Sequence, residues 1–91
     1  MPLKIAHIKQ QGIDLIIVPL APSFGREFQT TQESIVSSIQ ARAIAAGLAG
    51  TVVPVWDDNG RMGFRAPIPW HPFFRGVNLP LVYANLNRQI N

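Results

Sequence analysis

The pattern of apolar and polar positions in the middle of the chain predicts a β-hairpin. The sequence VVPVWDDNGRMGFRA, residues 52–66, places Asn59-Gly60 between two apolar runs, and this dipeptide favours a two-residue type I′ turn. Residues paired outward from that turn alternate between two faces. One face carries Val53, Val55, Met62, Phe64 and Ala66, and we expect it to lie in a core. The other face carries Trp56, Arg61 and Arg65, and it is the first candidate for a functional surface.

Two apolar runs near the N-terminus predict another hairpin. Lys4–Gln10 and Ile13–Val18 flank Gln11-Gly12, and glycine supplies the positive φ that a tight turn needs. The expected register opposes Ala6 to Ile17, His7 to Ile16 and Ile8 to Leu15. A single bent strand with a bulge at Gly12 is the alternative. Pro19 ends the second run, because proline cannot donate to a strand ladder.

Helical spacing after this hairpin predicts the main helix. Thr30 and Glu33 have the spacing of a capping box, so the helix should begin at Thr30 and run to about Leu48. Gly50 or Gly47 is the expected left-handed C-cap. The stripe expected to face the sheet consists of Ile35, Val36, Ile39, Ala43, Ala46 and Gly47.

A second apolar patch lies nearly opposite that stripe. Ile44, Leu48 and Ala41 form it on the helical wheel. Such a patch packs either against another chain or under the C-terminal segment, and the sequence leaves both alternatives open.

The C-terminal third combines a proline-rich segment with a final helical pattern. Three prolines within residues 67–76 should keep this segment extended and non-helical. Asn78 is the expected cap of a last helix, with Pro80 in the first turn, where its missing N–H is harmless. The apolar positions of this helix are Leu79, Val82, Tyr83, Leu86 and Ile90.

These elements predict an α+β fold. Their order is ββαββα, and they are expected to form one domain over residues 1–91. The natural packing is an antiparallel sheet of about four strands with the helices on one face.

The composition favours self-association. Apolar residues make up 47% of the 91-residue chain and charged residues only 14%, which is an apolar excess for so small a domain. We therefore expect a homo-oligomer in which part of the apolar surface is buried between subunits. No apolar run approaches the roughly 20 residues of a membrane span, so the expectation is a cytoplasmic protein without a membrane partner.

The basic residues suggest a second function. All five acids precede Asn59, whereas several arginines follow it. An exposed Trp56 beside Arg61, Arg65 and Arg75 would suit single-stranded nucleic acid, with a base stacked on the indole and phosphates on the arginines. Alternatively, Trp56 packs under a helix or at a dimer contact.

The aromatic segment that follows the central hairpin is another candidate surface. Trp70, Phe73, Phe74 and Arg75 are residue types enriched at interaction hot spots. The alternative is that Phe73 and Phe74 close the open end of the core.

Little in the chain points to catalysis or to a metal. Ser23 stands in the sequence APSFG, which resembles a nucleophile elbow, and His71 with Asp57 or Asp58 would complete a triad. That elbow belongs to a much larger parallel-sheet fold, and Pro22 suits an ordinary turn. With no cysteine and no histidine partner at ligand spacing, we expect no catalytic, metal or cofactor site.

The sequence therefore predicts a small, non-enzymatic interaction protein that self-associates, most simply as a homodimer. The interface would use Ile44 and Leu48, or Trp56 with Trp70, Phe73 and Phe74. Nucleic-acid binding by Trp56 with Arg61, Arg65 and Arg75 is the alternative.

Overall fold

Five strands form one mixed sheet in the computed structural model, which describes residues 2–91. The strands are β1 (Leu3–Gln10), β2 (Ile13–Pro19), β3 (Thr51–Asp58), β4 (Arg61–Phe64) and β5 (Arg88–Ile90). Their order across the sheet is β4-β3-β2-β1-β5. The pair β2–β3 is parallel, and the other neighbouring pairs are antiparallel.

Helices cover both faces of this sheet. They are α1 (Gln29–Ala45), α2 (His71–Arg75) and α3 (Leu79–Ala84), together with 3₁₀ helices at Pro22–Arg26 and Ile68–Trp70. Alternate residues of β2 separate the two cores, because successive side chains of a strand point to opposite faces. Ile16 and Val18 pack with α1, whereas Leu15 and Ile17 pack with α2 and α3.

The α+β class is confirmed, but the expected arrangement of the sheet and of the helices is wrong in two respects. The expected antiparallel pairing fails at β2–β3, because α1 returns the chain across the sheet and makes β3 parallel to β2. The expected single helical layer fails because β2 is apolar on both faces. The run from Leu15 to Val18 is buried throughout, which is the pattern of a strand covered on both sides.

Both predicted hairpins are confirmed with their registers. Ala6 pairs with Ile17 in the first hairpin, and Trp56 pairs with Gly63 in the second. Each turn has two residues at positive φ: 53° and 77° at Gln11 and Gly12, and 53° and 89° at Asn59 and Gly60. These are the φ signs of a type I′ turn, so the alternative of a single bent strand is excluded.

The predicted start of α1 is wrong by one residue, and the capping box does not form. Phe28 is the N-cap and offers no side-chain hydrogen bond. Thr30 lies inside the first turn. Oε1 of Glu33 accepts from Nη2 of Arg65, in the loop after β4, and from Nε2 of Gln29, the first residue of α1, so its contacts are with side chains and not those of a capping box.

A Schellman motif ends α1 three residues before the predicted end at Leu48. Gly47 adopts a φ of 79° and donates to the carbonyl of Ile44, while Leu48 N donates to the carbonyl of Ala43 at 3.0 Å. This is the hydrogen-bond pattern of a left-handed glycine at the first position beyond the cap. It turns Leu48 back toward the sheet, where the side chain packs on the α1 core.

The expectation of an extended, non-helical segment at residues 67–76 is wrong. Pro67 is the N-cap of a 3₁₀ helix at Ile68–Trp70, whereas Pro69 and Pro72 lie in the first turns of that helix and of α2. The first helical turn tolerates proline, because its N–H would have no intrahelical partner there.

The last predicted helix is correct at its start and too long at its end. Asn78 caps α3, with its Oδ1 accepting from Leu81 N at 2.9 Å. The helix ends at Ala84, and Arg88–Ile90 forms β5 against β1. Ile90, expected on the helix, opposes Leu3 in the sheet and is 1% exposed, because pairing with β1 outweighs the weak helical spacing.

Candidate functional site

Trp56 is covered by its own chain. An ideal Cβ placed on Gly63 would lie 2.5 Å from Nε1 and 2.5 Å from Cε2 of the indole, and one placed on Gly25 would overlap the same ring. The ring of Phe24 lies 5.1 Å from it, centroid to centroid. The indole therefore lies directly on the backbones of two glycines, one in β4 and one in the first 3₁₀ helix, and it remains only partly exposed.

Arg65 is also engaged within the chain. Its Nη1 donates to Oε1 of Gln32 at 2.9 Å, and its Nη2 donates to Oε1 of Glu33 at 3.1 Å. The Glu33 side chain is 54% exposed, so this pair adds at most about 1 kcal/mol to stability. Its role is to tie the end of the central hairpin to the first turns of α1.

The arginines predicted to bind phosphate do not share one surface with Trp56. Arg61 is exposed at the turn of the central hairpin, and Arg65 is paired with α1. Arg75 lies on α2, which packs on the opposite side of the sheet. The fold therefore separates the basic residues that the sequence analysis grouped.

The aromatic segment at residues 70–75 divides between core and surface. Phe74 is 1% exposed, with its ring 5.5 Å from that of Phe64 and 5.0 Å from that of Phe73. Trp70 and Phe73 are partly buried and pack edge to face, 6.0 Å apart. Phe74 closes the core, whereas Phe73 reaches the surface beside α3.

Ile44 and Leu48 do not form a joint patch. Ile44 is 66% exposed on the outer face of α1, so it is not covered by the C-terminal segment. Leu48 lies beyond the Schellman turn and packs on the core beneath α1. Only the first of these two residues remains available for contact with another molecule.

The residues that resemble a catalytic triad lie on opposite sides of the sheet. Ser23 belongs to the 3₁₀ helix that contacts Trp56 on the α1 side. His71 packs edge to face on Phe64 on the other side, and its Nε2 donates to the carbonyl of Ala66 at 2.8 Å. These residues cannot act as a nucleophile and its base.

Within residues 2–91, no three acidic or histidine side chains lie together as potential metal ligands.

An apolar groove lies between β1–β2 and α2–α3, and the sequence analysis did not find it. Its volume is about 230 Å³, and its lining residues are Ala6, Ile8, Gln10, Ile17, Phe73, Val77, Leu81, Val82 and Asn85. Two segments distant in sequence, residues 6–17 and residues 73–85, supply these residues, so no local pattern could have revealed the groove. The available signal was the position of Ala6, Ile8 and Gln10 at alternate residues of β1, which places them on one face of the strand.

The groove is apolar at its rim and uncharged. Leu81 is 47% exposed at its edge, and Ile13 is 51% exposed and opposes the groove residue Gln10 in the hairpin. Among residues 2–91, those that line the groove include no charged side chain. Exposed apolar groups around an apolar cleft are typical of a surface that binds another molecule.

Within residues 2–91, no helix combines the length and the hydropathy needed to cross a membrane.

Comparisons of the sequence and the structure with models of known protein families, with curated proteins and with solved structures found no match.

Proposed function

We propose that this is a non-enzymatic interaction protein that associates with itself, with the homodimer as its basic assembly. The supporting observation is the amount of large apolar side chain that the fold leaves at the surface. The exposed residues of this kind are Ile13, Phe28, Ile44, Ile68, Leu81 and Tyr83. Few charged side chains lie among these apolar residues, since only 14% of residues are charged.

The physical reason is the cost of hydrating this surface. Removing apolar area from water contributes about 25 cal/mol for each Å² buried. A chain of 91 residues has little interior in which to hide that area. Contact with a second copy buries apolar surface on two molecules at once, and the cytoplasm is the expected location of such an assembly.

Self-association is measured directly by sedimentation velocity. At about 50 μM protein and 150 mM salt, we expect a dimer, because a standard interface of about 800 Å² per partner supports micromolar affinity. Dilution below 1 μM should return the monomer. A protein that sediments as a strict monomer at every concentration up to 100 μM would contradict the proposal.

Nucleic-acid binding by Trp56 with Arg61, Arg65 and Arg75 has less support as the alternative. It needs a free indole face for base stacking, whereas Trp56 contacts Gly25, Gly63 and Phe24. It also needs Arg65 for phosphate, whereas that guanidinium already donates to two residues of α1.

A titration with a single-stranded oligonucleotide at 50 and 200 mM salt tests this alternative. Because Trp56 packs on its own chain, we expect Trp56→Ala to change any measured affinity by less than about twofold. A stacked indole would instead contribute about 1–3 kcal/mol per base. A loss of that size, together with a steep salt dependence, would favour nucleic-acid binding over self-association.

A further inference from the structure

We propose that two copies of the chain meet face to face at the apolar groove, with Leu81 of each protomer inserted into the groove of the other. This inference rests on the proposed self-association and identifies the surface that performs it. The contact is isologous: the same residues of both protomers meet around a two-fold axis.

The groove face has the shape that a two-fold contact requires. A self-complementary surface must present both a projection and a depression, so that each fills the other across the axis. Leu81 projects at the rim with 47% of its surface exposed, beside a depression of about 230 Å³. A cavity of about 150 Å³ already holds a benzene molecule, so the groove has room for a leucine side chain.

The absence of charge around the groove favours a second copy over a charged partner. A charged side chain brought against this lining would lose its hydration without gaining an opposite charge. The residues that line the groove of another protomer are themselves uncharged and add no such cost. Tyr83, another exposed apolar residue, shares a surface depression with Lys4 and Arg88.

Two amides at the groove give the contact a matching polar pair. Asn85 donates through Nδ2 to the carbonyl of Leu81 at 2.8 Å, which leaves its Oδ1 as an acceptor. The side chain of Gln10 also lines the groove and makes no hydrogen bond within residues 2–91. Polar groups covered by an interface need partners, and a second protomer brings a Gln10 donor for each Asn85 acceptor.

The dimensions of the molecule fit a contact centred on the groove. A standard interface covers about 800 Å² of each partner, which is a patch about 28 Å across. The molecule measures 33 × 27 × 24 Å, so such a patch spans most of one face. It would extend from the groove over α2 and α3 to the tip of the β1–β2 hairpin, where Ile13 is 51% exposed.

The test compares two charged substitutions on opposite faces. Leu81→Glu should weaken the dimer at least 100-fold in sedimentation equilibrium, because a leucine is lost from each of two symmetric pockets. Leu81 is the third residue of α3 after the Asn78 cap, where glutamate is favourable. The monomer should therefore stay folded, which far-UV circular dichroism and thermal unfolding would verify.

Ile44→Lys is the matched control. Ile44 is more exposed than Leu81, at 66%, and it lies near the C-terminus of α1, where a cation is favourable. We expect this variant to dimerise like the original protein. If Ile44→Lys dissociates the dimer and Leu81→Glu does not, the interface is the outer face of α1 and the inference is wrong. If both variants remain dimeric, the groove is also excluded, although self-association stands. A monomeric original protein would overturn the proposed function itself.

Discussion

Replacement of Phe74 by alanine is expected to lower the free energy of unfolding by about 3–5 kcal/mol. The side chain is 1% exposed, and its ring lies against those of Phe64 and Phe73. Removing it leaves a cavity between the sheet and α2 that a five-residue helix cannot collapse to fill. A chain of this length has a total stability of about 5–14 kcal/mol, so a large part of it would be lost. Urea unfolding followed by circular dichroism measures the change.

Phe73→Ala is the matched control, since it removes the same side chain one position earlier. Phe73 is only partly buried, so its loss should cost about half as much or less. Both variants should be measured in the Leu81→Glu background, because dissociation of a dimer would otherwise add to the measured loss. Equal costs for the two phenylalanines would show that Phe74 does not close the core as described.

Local sequence signals predicted the parts of the fold that depend on local chemistry. Asn59-Gly60 predicts a type I′ turn, Gly12 supplies the positive φ that a tight turn needs, and a two-residue turn determines the register of the strands beside it. The same holds for Asn78, whose side chain caps α3 with no help from distant residues. Each of these predictions needed only a few neighbouring positions.

Distant contacts determined the parts that the sequence analysis missed. β5 forms because Arg88–Ile90 pairs with the edge of β1, and no pattern within those three residues predicts a strand. The helical layer on the second face follows from α2, whose prolines were expected to prevent a helix. In each case tertiary packing outweighed a weak local preference.

The candidate site shows the same division. The register correctly separated Trp56 and Arg65 from Val55 and Phe64, yet it could not show that α1 and the first 3₁₀ helix cover that outer face. The groove was missed because Ile8, Phe73 and Leu81 come together only in the folded chain. Sequence thus identifies which side chains share a strand face, and the packing of other segments decides which of them remain free.

The close contact between Gly63 and the indole of Trp56 leads us to expect a large loss of stability when Gly63 is replaced. Gly63→Ala is expected to lower the free energy of unfolding by about 2–3 kcal/mol, the upper part of the range for overpacking. The added methyl carbon would lie 2.5 Å from the indole, and the backbone of Gly25 also contacts this ring, so the indole cannot simply move away. Chemical denaturation in the Leu81→Glu background measures the loss. Gly76→Ala is the matched control, because a Cβ there meets its nearest neighbour at an ordinary 3.5 Å and φ is −91°.

A double-mutant cycle shows whether the indole causes this loss. Trp56→Ala alone should be destabilising, because it removes a partly buried aromatic ring. Adding Gly63→Ala to Trp56→Ala should then cost little or nothing, since the space beside residue 63 is vacant. The resulting coupling should approach the full 2–3 kcal/mol expected for Gly63→Ala in the presence of the indole. An equal cost of Gly63→Ala with and without the indole would contradict the packing described for Trp56. It would also support the hypothesis that bases stack on the outer face of the central hairpin.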